Sequence, residues 1–245
     1  MLNRIGLFHF GINQNDPLGE LQSAMYAAND ISDSLIVLPE GFNIGKYYWC
    51  PGVCDYGSEV VSTLQDLSRR FHVAFVAGLI IKEANGLQLP YSSVYLIDGC
   101  RSTPVCHKEG DDRSRNYTPD PGNGGINNPI QSHENVCIGA LICVDAVKDA
   151  RVDPRRDERH QMLCREIAKS NCTCKVVCIP GCMDSNHSRN AVAKRWEAYY
   201  VVLANSHECG CGSFISKGKD GGIVKEVCLP KNRICAVEVG VELKA

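Results

Sequence analysis

The sequence lacks an excess of charge of either sign. It has 26 Lys and Arg residues against 28 Asp and Glu residues, a formal net charge of -2. Binding to nucleic-acid phosphates asks for a clustered basic excess, so we expect no nucleic-acid partner. No apolar stretch approaches the length that spans a membrane, and the first apolar run is too short for a secretory signal. We therefore expect a cytoplasmic protein with no membrane partner.

The chain also lacks low-complexity tracts, internal repeats and Ser/Gly-rich linkers. With 245 residues, 44% hydrophobic and 22% charged, its composition is that of an ordinary globular protein. We therefore predict a single domain spanning residues 1–245.

Cysteine, by contrast, is abundant, with 15 residues. Several cysteines lie inside apolar runs, where a free thiol behaves as a small hydrophobic residue, so we expect reduced cysteines. No group of them shows the Cys-x-x-Cys spacing typical of zinc or iron–sulfur sites, and we expect no metal site.

Amphipathic segments alternate with apolar runs over much of the chain. We predict helices beginning at Asp16-Pro17, containing Val60 to Phe71, running from Asp153-Pro154 to about Lys169, and carrying Val192, Trp196 and Tyr199. We predict strands at residues 4–10, 34–38, 73–81, 92–97, 101–106, 136–142, 176–179, 201–204, 212–216, 222–227 and 233–239. Several runs are continuously apolar, which favours strands covered on both faces. The last three strands follow Gly-rich turns, which predicts antiparallel pairing, and so many strands favour two mixed sheets.

Three candidate catalytic groups lie at or just beyond the ends of predicted strands. Glu40 follows the run ending at Leu38, Lys108 follows the run ending at Cys106, and Cys143 closes the run that starts at Val136. In open α/β sheets ligands bind at that end of the strands. A carboxylate, an ammonium and a thiol there supply a base, an electrophilic stabiliser and a nucleophile for acyl transfer.

Taken singly, each group also has an ordinary structural interpretation. Glu40 alone reads as a turn cap, Lys108 as a solvated lysine, and Cys143 as packing. Taken together, they satisfy the needs of a thiol nucleophile, which is mostly protonated at neutral pH and requires a base and a positive neighbour. Lys108 and the backbone N–H of Val144 would bind the oxyanion, and Glu40 would relay the proton to leaving ammonia.

The same residues resemble motifs of the nitrilase, or carbon–nitrogen hydrolase, superfamily. Leu38-Pro39-Glu40-Gly41-Phe42 resembles its glutamate motif, His107-Lys108 its lysine motif, and Leu141-Ile142-Cys143-Val144-Asp145 its nucleophile motif. Further matches are Arg195-Trp196-Glu197 through Ala204-Asn205, and the hairpin from Gly212-Ser213 to Val224. The resemblance covers nearly the whole chain.

The resemblance implies an α/β fold, a four-layer αββα sandwich of two mixed β-sheets flanked by helices. It implies a cofactor-free Glu40–Lys108–Cys143 site that hydrolyses a small amide or carbamoyl compound, or less readily a nitrile. It also implies a homodimer or higher homo-oligomer, joined through the third and fourth helices. A non-catalytic binding subunit, or acyl transfer to an amine with the same triad, remains an alternative.

The chain departs from the family pattern in three places. A second family glutamate is replaced, by position, by Asp112, and the residue after the nucleophile is Val144 where an aromatic residue is common. The chain stops at Ala245, soon after the last strand. Candidate pocket residues are Phe42, Tyr47, Tyr48 and Met183; the tyrosines either line a pocket or pack beneath their loop.

Overall fold

The computed structural model describes twelve strands and three α-helices, with two short 3-10 helices. The residues described are 2–11, 15–49, 58–81, 91–108, 130–146, 155–183, 192, 195–196, 199–206, 212–216, 225–227 and 233–238. The strands are β1 (Arg4–His9), β2 (Ser34–Leu38), β3 (Val73–Ile81), β4 (Tyr91–Asp98), β5 (Arg101–His107), β6 (Ile130–His133), β7 (Val136–Ala140), β8 (Cys174–Gly181), β9 (Tyr200–Asn205), β10 (Ser213–Ser216), β11 (Lys225–Val227) and β12 (Arg233–Glu238). The α-helices are α1 (Pro17–Ala27), α2 (Ser58–Phe71) and α3 (Arg155–Lys169), and the 3-10 helices are Gly45–Trp49 and Cys143–Ala146.

The strands form two six-stranded mixed sheets. The first has the order β12-β1-β2-β3-β4-β5 and the second β11-β10-β9-β8-β7-β6. In the first sheet β1, β2 and β3 run parallel, and in the second β7, β8 and β9 do so, with antiparallel strands on either side. The predicted division into two mixed sheets is therefore confirmed.

Helices cover the outer faces of both sheets. Asp16 caps α1 by accepting a hydrogen bond from the Gly19 N–H at 2.9 Å, as its position before a proline predicts. Helices α1 and α2 bury apolar side chains, Leu21 and Leu64 among them, against the outer face of the first sheet. Helix α3 packs on the second sheet. The layers follow the order helix, sheet, sheet, helix, which confirms the predicted αββα sandwich.

The central strands are buried on both faces. Every residue of β2, β3 and β7 is buried, because one face meets the other sheet and the opposite face meets a helix. This double burial explains why these strands read as continuous apolar runs instead of alternating ones.

Some boundaries differ from those predicted. Strand β7 ends at Ala140, two residues before the predicted Ile142, because the chain turns into the 3-10 helix that begins at Cys143. Strand β6 was not predicted. Of the fourth predicted helix, Trp196 is described, and its N–H donates to the Val192 carbonyl at 3.2 Å. The predicted helix start at residues 153–154 lies outside the described residues.

Across the described ranges, no helix has both the length and the apolar character that crossing a bilayer requires.

Candidate active site

The fold brings the three candidate groups to one end of the sandwich. Strand β4 is antiparallel to both β3 and β5, so β5 runs in the same direction as β2 and β3. Glu40 follows the carboxyl end of β2, and Lys108 follows that of β5. Cys143 comes three residues after β7 in the second sheet. This is the end of the strands where α/β folds place their ligands.

Glu40 and Lys108 form a buried ion pair. Lys108 Nζ donates to Glu40 Oε1 at 2.8 Å, and both side chains are 0% exposed. Ser92 in β4 contacts both residues: its hydroxyl donates to the same Glu40 oxygen at 3.0 Å, and its carbonyl accepts the Lys108 N–H at 2.8 Å. One strand therefore sets the relative position of carboxylate and ammonium.

The segment after Glu40 is tied to β3 by main-chain and side-chain hydrogen bonds. Gly41 has φ of +68°, a left-handed conformation that favours glycine and turns the chain sharply. The Asn43 amide then pairs with the backbone of Ile80, donating to its carbonyl and accepting its N–H, both at 2.9 Å. The chain on the carboxyl side of Glu40 is thus held as if it were an extra strand.

The two sheets come very close beside Glu40. A Cβ atom on Gly78 would lie 2.6 Å from Pro180 Cβ of the second sheet and 2.8 Å from Glu40 Cα. Only glycine allows this approach. The Ser206 hydroxyl bridges the same place, since it donates to the Glu40 carbonyl at 3.4 Å and lies 3.3 Å from the Gly181 carbonyl.

Cys143 occupies a strained position at the start of a tight turn. Its φ is +46°, a left-handed value that non-glycine residues rarely adopt and that is frequent at functional sites. The turn is closed by a hydrogen bond from the Asp145 N–H to the Ile142 carbonyl at 2.8 Å. Cys143 as a whole residue is 5% exposed.

The thiol of Cys143 is neutral at rest. Burial raises its pKa to about 12, the positive charge of Lys108 opposes this rise, and the negative charge of Glu40 adds to it. A hydrogen bond from the backbone of Cys182 also acts to lower the pKa. A neutral thiol beside a carboxylate needs proton transfer before it can attack, which is the situation for general-base catalysis.

The turn that carries Cys143 is anchored from behind by two side chains. His160 Nε2 donates to the Asp145 carbonyl at 2.7 Å, and Trp196 Nε1 donates to the Ala146 carbonyl at 3.2 Å. The His160 Nδ1 accepts from Arg195 Nε at 3.2 Å, so the imidazole carries its proton on Nε2. These contacts hold the conformation of the turn through its main chain.

The wall beside the thiol is fixed by Asn205. Its side-chain amide accepts the Met183 N–H at 2.7 Å and donates to the Met183 carbonyl at 3.0 Å. Asn205 itself is held by a hydrogen bond from its N–H to the Ser213 hydroxyl at 2.9 Å. Because Cys182 directly precedes Met183, this clamp also sets the backbone that meets the Cys143 sulfur.

Solved structures share this architecture. An amidase from Nesterenkonia sp. superposes with a TM-score of 0.68 at 18% identity, over 97% of this chain and 90% of that one. Nit3 of Saccharomyces cerevisiae, a member of branch 10 of the nitrilase superfamily, gives 0.68 at 17% identity, over 96% and 89%. A carbon–nitrogen hydrolase from Helicobacter pylori G27 gives 0.61 at 16% identity, over 98% and 90%. The chain has the nitrilase-superfamily fold.

No protein-family model matches the chain, and no curated protein matches it. The three-dimensional arrangement thus confirms the nitrilase fold that the motifs around Glu40, Lys108 and Cys143 predicted.

The other predicted site residues fall in different surroundings of the nitrilase fold. Phe42 is fully buried against Phe8 and Phe10, with ring centroids 6.1 and 5.6 Å away, so core packing accounts for it. Tyr47 is 45% exposed, with the Lys46 ammonium 4.9 Å from its ring centroid. Met183 is buried beside the Asn205 clamp. Residues outside the description are Asp112 and the side chains of Tyr48 and Val144.

Ser92, His160 and Asn205 are among the supporting residues that were not predicted as part of the site. Ser92 and Ser93 begin the strand predicted at residues 92–97. Two polar residues at the start of an apolar run are a sequence signal that could have identified Ser92. His160 lies in a helix rich in charge, which hides its burial. Asn205 ends the motif that begins at Arg195, but the spacing of that motif does not indicate which residue the Asn205 side chain contacts.

Among the residues that the structure describes, no cluster of three or more His, Cys, Asp or Glu side chains has the geometry to hold a metal ion.

Proposed function

We propose that this protein is a thiol hydrolase of a non-peptide carbon–nitrogen bond, acting on a small amide or carbamoyl compound, and less readily on a nitrile. Cys143 is the nucleophile, Glu40 the general base, and Lys108 the group that orients the carboxylate and binds the oxyanion. The backbone N–H of Val144 is the second oxyanion donor, and Asp112 is the candidate second acid.

The buried Glu40–Lys108 pair carries this proposal. Removing two charges from water costs several kcal/mol per ion, roughly, and their mutual attraction only offsets that cost when the geometry is good. An apolar pair of similar volume would serve stability as well or better. A fully buried pair at 2.8 Å beside a buried thiol is thus better explained by chemistry than by stability.

The first half-reaction forms the acyl-enzyme. Glu40 takes the thiol proton of Cys143 as the sulfur bonds to the carbonyl carbon, and the oxygen becomes an oxyanion held by Lys108. The carbon–nitrogen bond then breaks, and Glu40 returns the proton to the leaving nitrogen. Ammonia or an amine departs and a thioester remains on Cys143.

The second half-reaction uses the same groups with water. Glu40 removes a proton from water as its oxygen attacks the thioester carbon, and Lys108 again binds the oxyanion. The carbon–sulfur bond breaks, the thiol of Cys143 regains a proton, and the acid product leaves. The carboxylate ends the cycle ionised, as it began.

The structural neighbours support the choice of an amide. One neighbour is named an amidase and another a carbon–nitrogen hydrolase. A structure of a glutamate-to-glutamine variant of the amidase from Nesterenkonia sp. AN1 shows the result of Michael addition of acrylamide at its active-site cysteine. We extend to this chain a reactive cysteine at the corresponding end of the sandwich. Independently of the neighbours, we also propose a cytoplasmic homodimer or higher homo-oligomer, joined through the third and fourth predicted helices.

Ammonia release tests the proposal directly. The wild type and the Cys143→Ala variant are assayed on a panel of small amides, ureido acids and nitriles. We expect ammonia from at least one amide or ureido acid, lost in Cys143→Ala. The matched control is Cys178→Ala, which removes another buried thiol, from β8, and should retain turnover.

The remaining outcomes separate the alternatives. Turnover that survives in Cys143→Ala removes the nucleophile assignment. Hydroxamate accumulating on addition of hydroxylamine, with little free acid, indicates acyl transfer to an amine. No release from the whole panel, with Cys143 no more reactive to alkylation than the other thiols, indicates a non-catalytic binding subunit.

A further inference from the structure

Strand β4 carries two adjacent buried serines on opposite faces of the first sheet. Ser92 contacts Glu40, as described above. Ser93 lies opposite His107 on β5, and its hydroxyl is 2.6 Å from the imidazole Nδ1. Both serines are almost fully buried, at 0% and 1% exposed. The pair differs in one respect that matters for catalysis: the first hydroxyl contacts a charged candidate catalytic group and the second contacts a histidine outside the candidate triad.

Glu40 Oε1 accepts two hydrogen bonds, one from the residue that follows β5 and one from a residue of β4. One comes from the Lys108 ammonium at 2.8 Å and the other from the Ser92 hydroxyl at 3.0 Å. A carboxylate oxygen has two in-plane lone pairs, so two donors occupy its main acceptor directions. The two donors together therefore fix the direction in which Oε1 points.

We propose, on the basis of the function proposed above, that Ser92 is a positioning residue for Glu40. Its hydroxyl and Lys108 together hold Oε1, which fixes the orientation of the carboxylate for proton transfer with Cys143. The serine acts through the glutamate and does not touch substrate.

The hydroxyl has a second effect that Lys108 cannot supply alone. A donor to the ionised form of a carboxyl stabilises that form, so Ser92 keeps Glu40 ready to accept a proton at lower pH. A neutral hydroxyl stabilises the carboxylate less than a second cation would, so Glu40 keeps more of its basicity. Two donors on one oxygen also fix the plane of the carboxylate, which a single ammonium does not.

The test is the pH dependence of alkylation of Cys143 by iodoacetamide, followed by peptide mass spectrometry. In this reaction sulfur bonds to the methylene carbon, iodide leaves, and the thiol proton goes to Glu40. Rates are measured from about pH 5 to about pH 9, where the acid limb reports ionisation of the site. The variants are Ser92→Ala, Ser92→Thr, Ser93→Ala and Glu40→Gln, and ammonia release from the best amide provides the same profile for turnover.

We expect Ser92→Ala to raise, by about one pH unit, the pH at which the alkylation rate falls on the acid side of the profile (the acid limb). At pH values below this limb, labelling should be about tenfold slower than in wild type. Turnover should fall about 10- to 100-fold, in kcat more than in KM. Ser92→Thr keeps a hydroxyl and should restore the wild-type limb. Ser93→Ala loses an equally buried hydroxyl and should leave the limb in place.

Two results overturn the role of Ser92 while leaving the proposed function intact. The first is slow labelling in Glu40→Gln with a wild-type profile in Ser92→Ala. The second is an equal displacement of the limb in Ser93→Ala and Ser92→Ala. Labelling of Glu40→Gln as fast as wild type overturns the base assignment itself. If Ser92→Ala does not fold, Ser92→Cys against Ser92→Thr makes the same comparison, because a thiol is a weak donor of similar size.

Discussion

The two sheets hold their parts of the candidate site in different ways. The first sheet supplies the charged groups, Glu40 and Lys108, and fixes them by hydrogen bonds between side chains, with Ser92 as the third member. The second sheet supplies Cys143 on a turn held through main-chain carbonyls, by His160 and Trp196.

The first sheet therefore determines the charges of the site, and the second determines the position of the nucleophile. Substitutions in the charged half change which protonation states are stable, so they should alter stability and pH dependence together. Substitutions behind the nucleophile turn change where the sulfur lies, so they should alter turnover at every pH alike.

Breaking the ion pair should have the largest effect. Lys108→Met removes the cation and leaves the Glu40 carboxylate buried without it, which should lower the free energy of unfolding by about 3–5 kcal/mol. Turnover should be lost as well. Urea unfolding followed by circular dichroism measures the first effect and ammonia release the second.

The control for this prediction is the double variant Lys108→Met with Glu40→Gln. It removes both charges, so it should regain most of the stability while remaining inactive. A Lys108→Met protein as stable as wild type would show that the Glu40–Lys108 ion pair does not stabilise the part of the site in the first sheet.

Closing the gap between the sheets should come next. Gly78→Ala would place a methyl group against Pro180 and the backbone of Glu40, and overpacking of this kind costs about 1–3 kcal/mol. Displacement of Glu40 should also reduce turnover. Thermal unfolding and ammonia release measure the two effects.

Gly139→Ala is the matched control in the second sheet. Its Cβ would meet Ile167 Cδ1 at 2.7 Å and Leu163 Cδ1 at 3.2 Å, the ends of flexible side chains that can move aside. We expect a smaller loss of stability and unchanged turnover. Equal losses of turnover in both variants would contradict the special role of the gap beside Glu40.

Loosening the nucleophile turn should have a smaller effect. Trp196→Phe removes the N–H donor to the Ala146 carbonyl but keeps an aromatic ring, and an unsatisfied buried carbonyl costs about 1–3 kcal/mol. We expect lower kcat with an unchanged pH profile. Steady-state kinetics against pH provides the measurement.

Tyr199→Phe is the corresponding control. The Tyr199 hydroxyl donates to the Cys164 carbonyl at 3.2 Å, in α3 and away from the turn. Its loss should leave kcat unchanged. A moved acid limb in Trp196→Phe would show that charge and geometry are not separated as proposed.

Alkaline pH should have an effect that is absent at neutrality. Burial raises the pKa of Cys178 and of Cys143, the latter to about 12. The folded chain therefore keeps these protons above about pH 8.5, where the unfolded chain releases them, so stability falls as pH rises. Each thiol should contribute about 1.4 kcal/mol per pH unit there.

The Cys178→Ala variant isolates one of these thiols. Its stability should decline less steeply than that of wild type above about pH 9. Urea unfolding at several alkaline pH values measures the slope. An identical slope in the two proteins would show that this thiol does not titrate on unfolding.

Much of the framework was predictable because it depends on local pattern. Continuous apolar runs predicted β2 and β3 at their observed bounds, and Asp16-Pro17 predicted the start of α1. The three candidate groups were found because each follows a strand. In contrast, the strand at Ile130–His133 has no alternating pattern of its own and was missed.

The supporting contacts were not predictable for a physical reason. Ser92 and Glu40 are 52 residues apart, and His160 meets Asp145 through a main-chain carbonyl. Periodicity indicates which face a residue occupies, but no local rule indicates which distant polar atom it will meet. The early end of β7, at Ala140, was not predictable for the same reason, because a long-range contact from α3 stabilises the turn that follows it.

The close approach at Gly78 makes the apolar interior part of the catalytic geometry. Glu40 rests on one sheet and Cys143 on the other, so the thickness of the packed layer between the sheets sets how far apart base and sulfur lie. Protein interiors have low compressibility, so the packed side chains between the sheets hold the two sheets at a fixed separation. Adding or deleting a methylene group in the core between the sheets therefore changes the distance between the Glu40 carboxylate and the Cys143 thiol.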